Sequence, residues 1–517
     1  MSRTLNSVRN LKYTLIGQIL NLTVSLITRM IFVRTLKAEY LGLNGLFTNM
    51  LSVLLLVELG VGEAIIYSMY KPLSEGNKKK LKALLSLYKK IYVSIGFFIL
   101  IFGTLVTPFL GSFIKDMPII DNIKLIYILY VINTGVSYFF SYKRSLLIAD
   151  QKKYIESFYR YSLSLLRNIC QIIILIYLKS FILYLIIQLV FTLIENILIS
   201  RIVDRQYSYI REKNEEILNQ DDKNLIIKNV KALIFHKFGG IIVMGTDNIL
   251  ISKFIGIIEV GLYSNYLLIT SSLNQLIGMI FQSITASIGN LGVTENSEKR
   301  LEIFNVIDFA GFWIYAFSSI SLAILFNSFL FHWIGEEYLF DNKIVLLIVL
   351  NFYINGRRRS VLTFRDAFGL FWYDRHKPIL ESLVKITTSL IFVQFYGLKG
   401  IIISSIISNI FVCMWIEPFF LFKYGFQTSS RRYFFKYMES FLIFILIGSI
   451  TWIVSSLISE PTLISFTYKI IVCTVIPNIL LLLIYRKSNE IRIVNKSIIP
   501  ILLNKMKYRT LNTLIHK

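Results

Sequence analysis

Cysteine is scarce in this chain. Its three residues, Cys170, Cys413 and Cys473, lie far apart, each inside an apolar run. Without a CxxC or any close spacing, neither a disulfide framework nor a thiolate metal site organises the fold. Each cysteine reads as a small buried hydrophobe. Histidine is nearly as rare. His236, His332, His376 and His516 have no neighbours at metal-ligand spacing, so no metal site is expected. His236, beside Lys237, reads as a packed or interfacial histidine, with proton coupling as the alternative. No GxxxxGK loop cradles a phosphate, which argues against ATP hydrolysis, and no catalytic residues are assigned. Charge is also thin, at 17% of residues against roughly 25% in soluble chains. No polar block is long enough to fold as a soluble domain.

What is present is hydrocarbon. Residues of the hydrophobic class make up 55% of the 517, in recurring runs of about 20, the length that crosses a bilayer as a helix. The expected class is an all-α polytopic membrane protein. About fourteen spans are expected, near 11–36, 42–67, 85–113, 123–148, 155–178, 181–203, 229–254, 259–289, 301–330, 343–366, 377–397, 399–422, 436–458 and 462–485. The first, behind Arg3, Arg9 and Lys12, is too long for a signal-peptide core and is expected to remain as a span.

Acids are outnumbered, 31 against 55 Lys and Arg, for a net charge of +24. Nucleic acid is one reading of such a balance. Basic cytoplasmic loops are the better one, because 42 of the 55 fall on one side of the alternating spans and 8 on the other. That asymmetry places both termini in the cytoplasm. The polar segment 204–224 is the best internal boundary. The domains expected are a six-helix lobe over 1–210, a cytoplasmic linker over 211–228, a second six-helix lobe over 229–425, helices 13 and 14 over 426–486, and a basic cytoplasmic tail over 487–517. The tail is either an amphipathic helix on the anionic inner leaflet or a solvated basic segment.

The two halves also look like copies. One constant shift in numbering lays Leu41-Gly42-Leu43 on Val260-Gly261-Leu262, Arg34 on Lys253 and Arg29 on Asn248. Six spans per half is an even number, so the repeat would be parallel, related by an axis along the membrane normal.

Ionisable residues inside spans cost roughly 2.5–3.5 kcal/mol each on insertion scales and face a cavity or a partner. The set here is Arg29, Arg34, Glu58, Glu63, Arg167, Glu195, Lys237, Asp247, Asp308, Arg365, Asp366, Glu381, Lys385 and Glu417. Arg34, Glu63, Arg365, Asp366 and Glu417 lie near span ends and can snorkel. Glu381 and Lys385, spaced i, i+4, are expected to pair with each other. Depth matches Arg29 with Asp247 and Glu58 with Lys237, as salt bridges between the halves or as the wall of a polar chamber for an anion.

Several runs carry a family resemblance: LGLNGLFTN (41–49), ELGVGEAIIYSMYKPL (58–73), SYFFSYKRSLLIADQKKYI (137–155), GTDNILISKFIG (245–256), GLYSNY (261–266), KPILES (377–382) and Glu417-Pro418. Through them the chain resembles bacterial polysaccharide flippases of the Wzx type, in the multidrug/oligosaccharidyl-lipid/polysaccharide exporter superfamily. The resemblance implies a MATE-like fold, two six-helix lobes in a V around a central cavity lined by spans 1, 2, 7 and 8, with two extra C-terminal helices outside. It implies an undecaprenyl-diphosphate-linked oligosaccharide as substrate, and no enzyme activity.

On that reading Arg29, Lys237 and Arg167 are the substrate-binding cations, since a diphosphate needs cationic donors and arginine suits paired contacts. Asp247 and Glu58 are the cavity carboxylates for ion coupling. Tyr67, Tyr70, Tyr263, Asn265 and Tyr266 are the sugar contacts. No cofactor is expected beyond coupling to a proton or sodium gradient. The partners expected are the lipid-linked oligosaccharide, membrane lipid and other polysaccharide-assembly proteins, with no nucleic acid, and the protein is expected to act as a monomer in the bacterial cytoplasmic membrane. Two alternatives stay open: a cation-coupled drug exporter of the same fold, and a membrane polysaccharide polymerase or ligase. For the latter the acidic outer loop 331–342 is the one candidate site, though it reads more simply as solvated.

Overall fold

The computed structural model describes residues 3–58, 60–212, 218–458 and 462–493. Every regular element among them is helical. The first are α1 (Arg3–Thr35), α2 (Ala38–Leu54), α3 (Val61–Ser74), α4 (Lys78–Val106), α5 (Ile123–Phe139), α6 (Ser141–Ala149), α7 (Lys153–Tyr177) and α8 (Phe181–Gln206). Then come α9 (Gln220–Phe254), α10 (Ile257–Thr294), α11 (Ser297–Ile334), α12 (Asn342–Arg357), α13 (Arg359–Ala367), α14 (Lys377–Tyr396) and α15 (Leu398–Ser408). The remainder are α16 (Met414–Phe420), α17 (Arg431–Ser455), α18 (Leu463–Tyr485) and α19 (Asn489–Ile493). The tail beyond Ile493 lies outside the described residues.

Each of the fourteen expected segments falls on a helix or an interrupted helix. Among the described residues ten helices are long and apolar enough to cross a membrane, and the pair α5 and α6, bent by 47°, makes an eleventh. The chain is a multi-pass membrane protein. Helices α7, α9 and the pair α12 and α13 are not among the ten; they carry Arg160 and Arg167, Lys237 and Asp247, and Arg357 to Arg359.

The repeat extends through the helix boundaries. Thr35 and Phe254 end α1 and α9, Ala38 and Ile257 start α2 and α10, Lys78 and Ser297 start α4 and α11, and Tyr177 and Tyr396 end α7 and α14. All four pairs share the shift that lays Gly42 on Gly261. So do the caps Asn77 and Asn296, whose side chains accept from Lys80 N (3.0 Å) and Lys299 N (2.9 Å), satisfying otherwise orphaned N–H groups of a first turn. The break between α5 and α6 recurs between α12 and α13. One break does not recur: α2 stops before Glu58, and Gly60 takes a left-handed φ of 81° before α3 begins, whereas α10 runs straight through their equivalents Ile277 and Met279.

Contact density divides the chain into two compact units. One comprises residues 1–267 and 378–401, the other 268–377 and 402–517. In the first, α1 and α7 lie parallel in a fixed register: Thr14 meets Ser157 (3.4 Å), Tyr161 donates to Gln18 (2.9 Å) and Ser164 to Asn21 (2.6 Å), all with one sequence separation. The equivalent pair α9 and α14 uses the same separation, Ser382 Oγ donating to the Gly239 carbonyl at 3.2 Å.

Helices α2 and α10 cross at glycines of both copies. A Cβ on Gly42 would overlap the Ile257 carbonyl oxygen, and one on Gly261 would lie 2.7 Å from the Ala38 carbonyl oxygen. Gly42 and Gly261 are equivalents, and so are Ala38 and Ile257. Reciprocal contact of this kind is the mark of a two-fold relation. The second unit is built around aromatic packing, with Phe304 edge-on to Phe364 (5.2 Å) and Phe422 (5.5 Å).

Candidate anion site in the first unit

Arg29 sits on α1, two turns before the helix ends. Its Nε donates to Asn265 Oδ1 at 3.0 Å and its Nη2 donates to the Ser264 hydroxyl, both on α10. No carboxylate is ion-paired with it among the described residues. Tyr130 on α5 and Tyr184 on α8 lie within electrostatic reach of it; the Tyr130 hydroxyl donates to Asn44 on α2 at 2.6 Å. Tyr184 also stands in the field of Arg167 on α7, whose own Nη2 donates to Ser164 at 3.0 Å. Two of the three expected cations therefore act electrostatically on one tyrosine. The third, Lys237, lies on α9, but its side chain falls outside the described residues. A cation held only by neutral groups in a low-dielectric wall retains its full attraction for an anion.

The expected pairing of Arg29 with Asp247 is corrected by this geometry. Asp247 belongs instead to Lys385 on α14, 2.8 Å away, and Lys385 also donates to the Val243 carbonyl. Lys385 thus reaches across to a neighbouring helix, a partner that its i, i+4 spacing from Glu381 did not suggest. Glu58 accepts from the hydroxyls of Tyr92 and Tyr138, the latter at 2.9 Å. Among the sugar-contact candidates, Tyr67 and Tyr70 are 63% and 48% exposed and meet edge to face at 6.2 Å. Tyr263 and Tyr266 are buried in this structure, and Asn265 is occupied by Arg29.

Glu417 does not snorkel. It is wholly buried in the second unit, gripped bidentately by Arg358 (2.9 and 2.6 Å) and by Lys377 (2.6 Å). Asp308 likewise holds Arg357 at 3.1 Å and accepts from Ser360. Arg365 bonds Asp374 (2.6 Å) and Asp366 (2.7 Å). Glu417 and Pro418 lie between two wider π-turns, Asn409–Cys413 and Leu421–Phe426, the kind of irregularity that recurs at functional sites. In the first unit Glu195 is matched by Arg144 at 3.0 Å. Four of these acids, Glu417, Asp308, Asp366 and Glu195, stand out in the sequence and sit against cations; Arg29 sits against neutral groups.

Sequence reasoning missed Ser264, Tyr130 and Tyr184. Tyrosine and serine in a span carry no signal of their own. Only the repeat could have found Ser264, as the equivalent of Gly45. Among the described residues no group of three or more His, Cys, Asp or Glu is placed to hold a metal.

The sequence model of the polysaccharide biosynthesis protein family matches residues 7–285, more than half of the chain. The chain belongs to that family. A search of curated protein sequences returns no match. Among solved structures, the chain is similar to the lipid II flippase MurJ in an inward closed conformation, with TM-score 0.65 at 16% identity over 91% of this chain and 98% of that one. It is similar to an inward-facing multidrug resistance MATE family transporter of the MOP superfamily, with TM-score 0.60 at 14% identity over 76% and 93%. It also resembles the Vibrio cholerae MATE transporter VcmN in its bent form, with TM-score 0.53 at 12% identity over 79% and 94%. At these identities the likeness establishes a shared fold. The family member thus has the helical fold of known flippases and exporters, as the resemblance implied.

Proposed function

We propose that this protein is a flippase that moves an undecaprenyl-diphosphate-linked oligosaccharide repeat unit from the inner to the outer leaflet of the bacterial cytoplasmic membrane. The translocated unit would feed capsule, O-antigen or exopolysaccharide synthesis. The mechanism is alternating access, with residues 1–210 and 229–425 as the two moving lobes, fourteen crossings and both termini cytoplasmic. The basic residues collected on one side of the spans support that orientation.

The observation that carries the reading is Arg29. A half-buried arginine bonded only to Ser264 and Asn265 is costly to keep in a span unless an anion arrives to use it. A diphosphate offers paired oxygens that match the guanidinium fork. Serine and asparagine hold the fork in place and release it without leaving a charge behind. Arg167 adds a second cation beside Tyr184, and the exposed Tyr67 and Tyr70 offer faces on which a sugar can stack. The lipid tail stays in the bilayer while the head group crosses. A drug exporter of the same fold would need a carboxylate free to exchange an ion, and Asp247 and Glu58 both have partners.

The test is export of the polymer in a host whose own flippase is deleted. Arg29→Ala is expected to abolish export at normal membrane abundance. Arg29→Lys is expected to restore it in part, because a point charge replaces a paired donor. Full export by Arg29→Ala would overturn the reading.

A further inference from the structure

Equivalent positions of the two copies show where charge has been added to the shared helix pair. In the first copy the Val24 carbonyl on α1 accepts from the Thr28 hydroxyl at 2.9 Å. In the second, the equivalent Val243 carbonyl on α9 accepts from the Lys385 ammonium. Thr28 is replaced by Asp247, and Leu166, a half-exposed apolar residue on α7, is replaced by Lys385 on α14. The second copy therefore has a carboxylate and a backbone carbonyl converging on one point, with a buried ammonium between them, 2.8 Å from Asp247 Oδ1. Carboxylate and backbone carbonyl oxygens are the ligand types that hard cations take, and here two of them face one point.

We infer that the Lys385 ammonium is a tethered cation occupying what is otherwise a monovalent-cation site made by Asp247 and the Val243 carbonyl. Asp247 is then permanently paired, takes up no sodium ion, and supplies no ion coupling. Covalent attachment makes the difference: the ammonium is always at hand, at an effective concentration that a free ion cannot match. Removing it leaves an uncompensated carboxylate in a water-poor wall, which recruits the nearest small cation. The inference goes beyond the flippase reading and does not depend on it, because its readout is cation binding and not export.

The experiment measures thermal unfolding of the purified full-length protein in detergent, with sodium chloride exchanged for choline chloride at constant ionic strength. A cation that binds only the folded state raises the midpoint as its concentration rises. Wild type is expected to show the same midpoint in both salts. Lys385→Ala is expected to gain an upward shift in sodium, and Asp247→Asn in that background is expected to remove it. If Lys385→Ala does not fold, Lys385→Gln keeps the stem and takes its place. A sodium-dependent rise in wild type that Asp247→Asn abolishes overturns the inference, as does a folded Lys385 variant whose midpoint ignores sodium. If neither variant folds, the wild-type comparison decides alone: equal midpoints uphold it, an Asp247-dependent rise sinks it.

Discussion

At one point on the shared framework the first copy carries Arg29; at the equivalent point the second carries Asn248. The two side chains do equivalent things. Arg29 donates to Ser264 on α10, and Asn248 Nδ2 donates to the Gly45 carbonyl on α2 at 3.3 Å. Gly45 is the equivalent of Ser264. The contact is thus made twice across the same two-fold relation, once with a charge and once without. A duplicated helix pair needs the polar contact in both places to satisfy buried groups. It needs the charge in neither, and the extra cation at Arg29 is the reason we propose a ligand site there. The asymmetry at Asp247 and Lys385 runs the other way, with charge added to the second copy and cancelled where it stands.

The largest expected effect comes from erasing the difference. Arg29→Asn makes the copies alike and should lower export by about 10–100-fold, since hydrogen bonds to charged groups contribute roughly 1.5–3 kcal/mol. Adding Asn248→Arg should not restore it, because the equivalent of Ser264 is a glycine with no hydroxyl to hold the fork. Recovery of export in that double variant would show that either copy can host the site.

Next in size is the crossing itself. Gly42→Ala and Gly261→Ala each push a Cβ against a backbone carbonyl, which cannot rotate away. Overpacking of this kind costs about 1–3 kcal/mol, so both should lower the unfolding midpoint. Gly45→Ala meets the Val260 side chain at 3.0 Å and should be milder. Equal effects at all three would mean that the crossing relaxes as a whole.

Smaller again is the unshared break. Gly60→Ala places a side chain at φ 81° and should cost about 1–2 kcal/mol. Met279→Gly, in the straight copy, should cost about 1 kcal/mol by helix propensity alone. If Gly60→Ala is neutral in the same unfolding measurement, the break is not held by that residue.

The smallest effect lies outside both copies. Glu490 on α19 follows the last span, and Lys436 Nζ donates to it at 3.0 Å. Partial burial raises its carboxyl, but the lysine bond and charge outweigh burial and hold it below its ordinary value of 4.5. A depressed carboxyl contributes stability above the unfolded value and loses it as pH falls through the folded one. Lys436→Ala should therefore flatten the fall in unfolding midpoint below about pH 4.5, with little change near neutral pH. An unchanged acid limb would remove the ion pair from the account.

Much of this could be read without coordinates. Span length and apolar continuity are local properties, so the all-helical membrane class and the ten or eleven clearly apolar spans among the described residues could be placed from hydropathy. The copies were legible because duplication preserves spacing, and the shift seen at Gly42 and Gly261 holds for helix ends and caps alike. The presence of ionisable groups in spans was equally plain. The tertiary structure alone decided which of them meet. Depth along a helix gave Arg29 and Asp247 the same level, yet the rotation of each helix sent Arg29 to Ser264 and turned Asp247 to Lys385, five helices further along the chain. Proximity to a span end suggested an escape to water for Glu417, while packing sealed it between Arg358 and Lys377. Partner choice depends on azimuth and on neighbours far away in sequence, and a one-dimensional pattern carries neither.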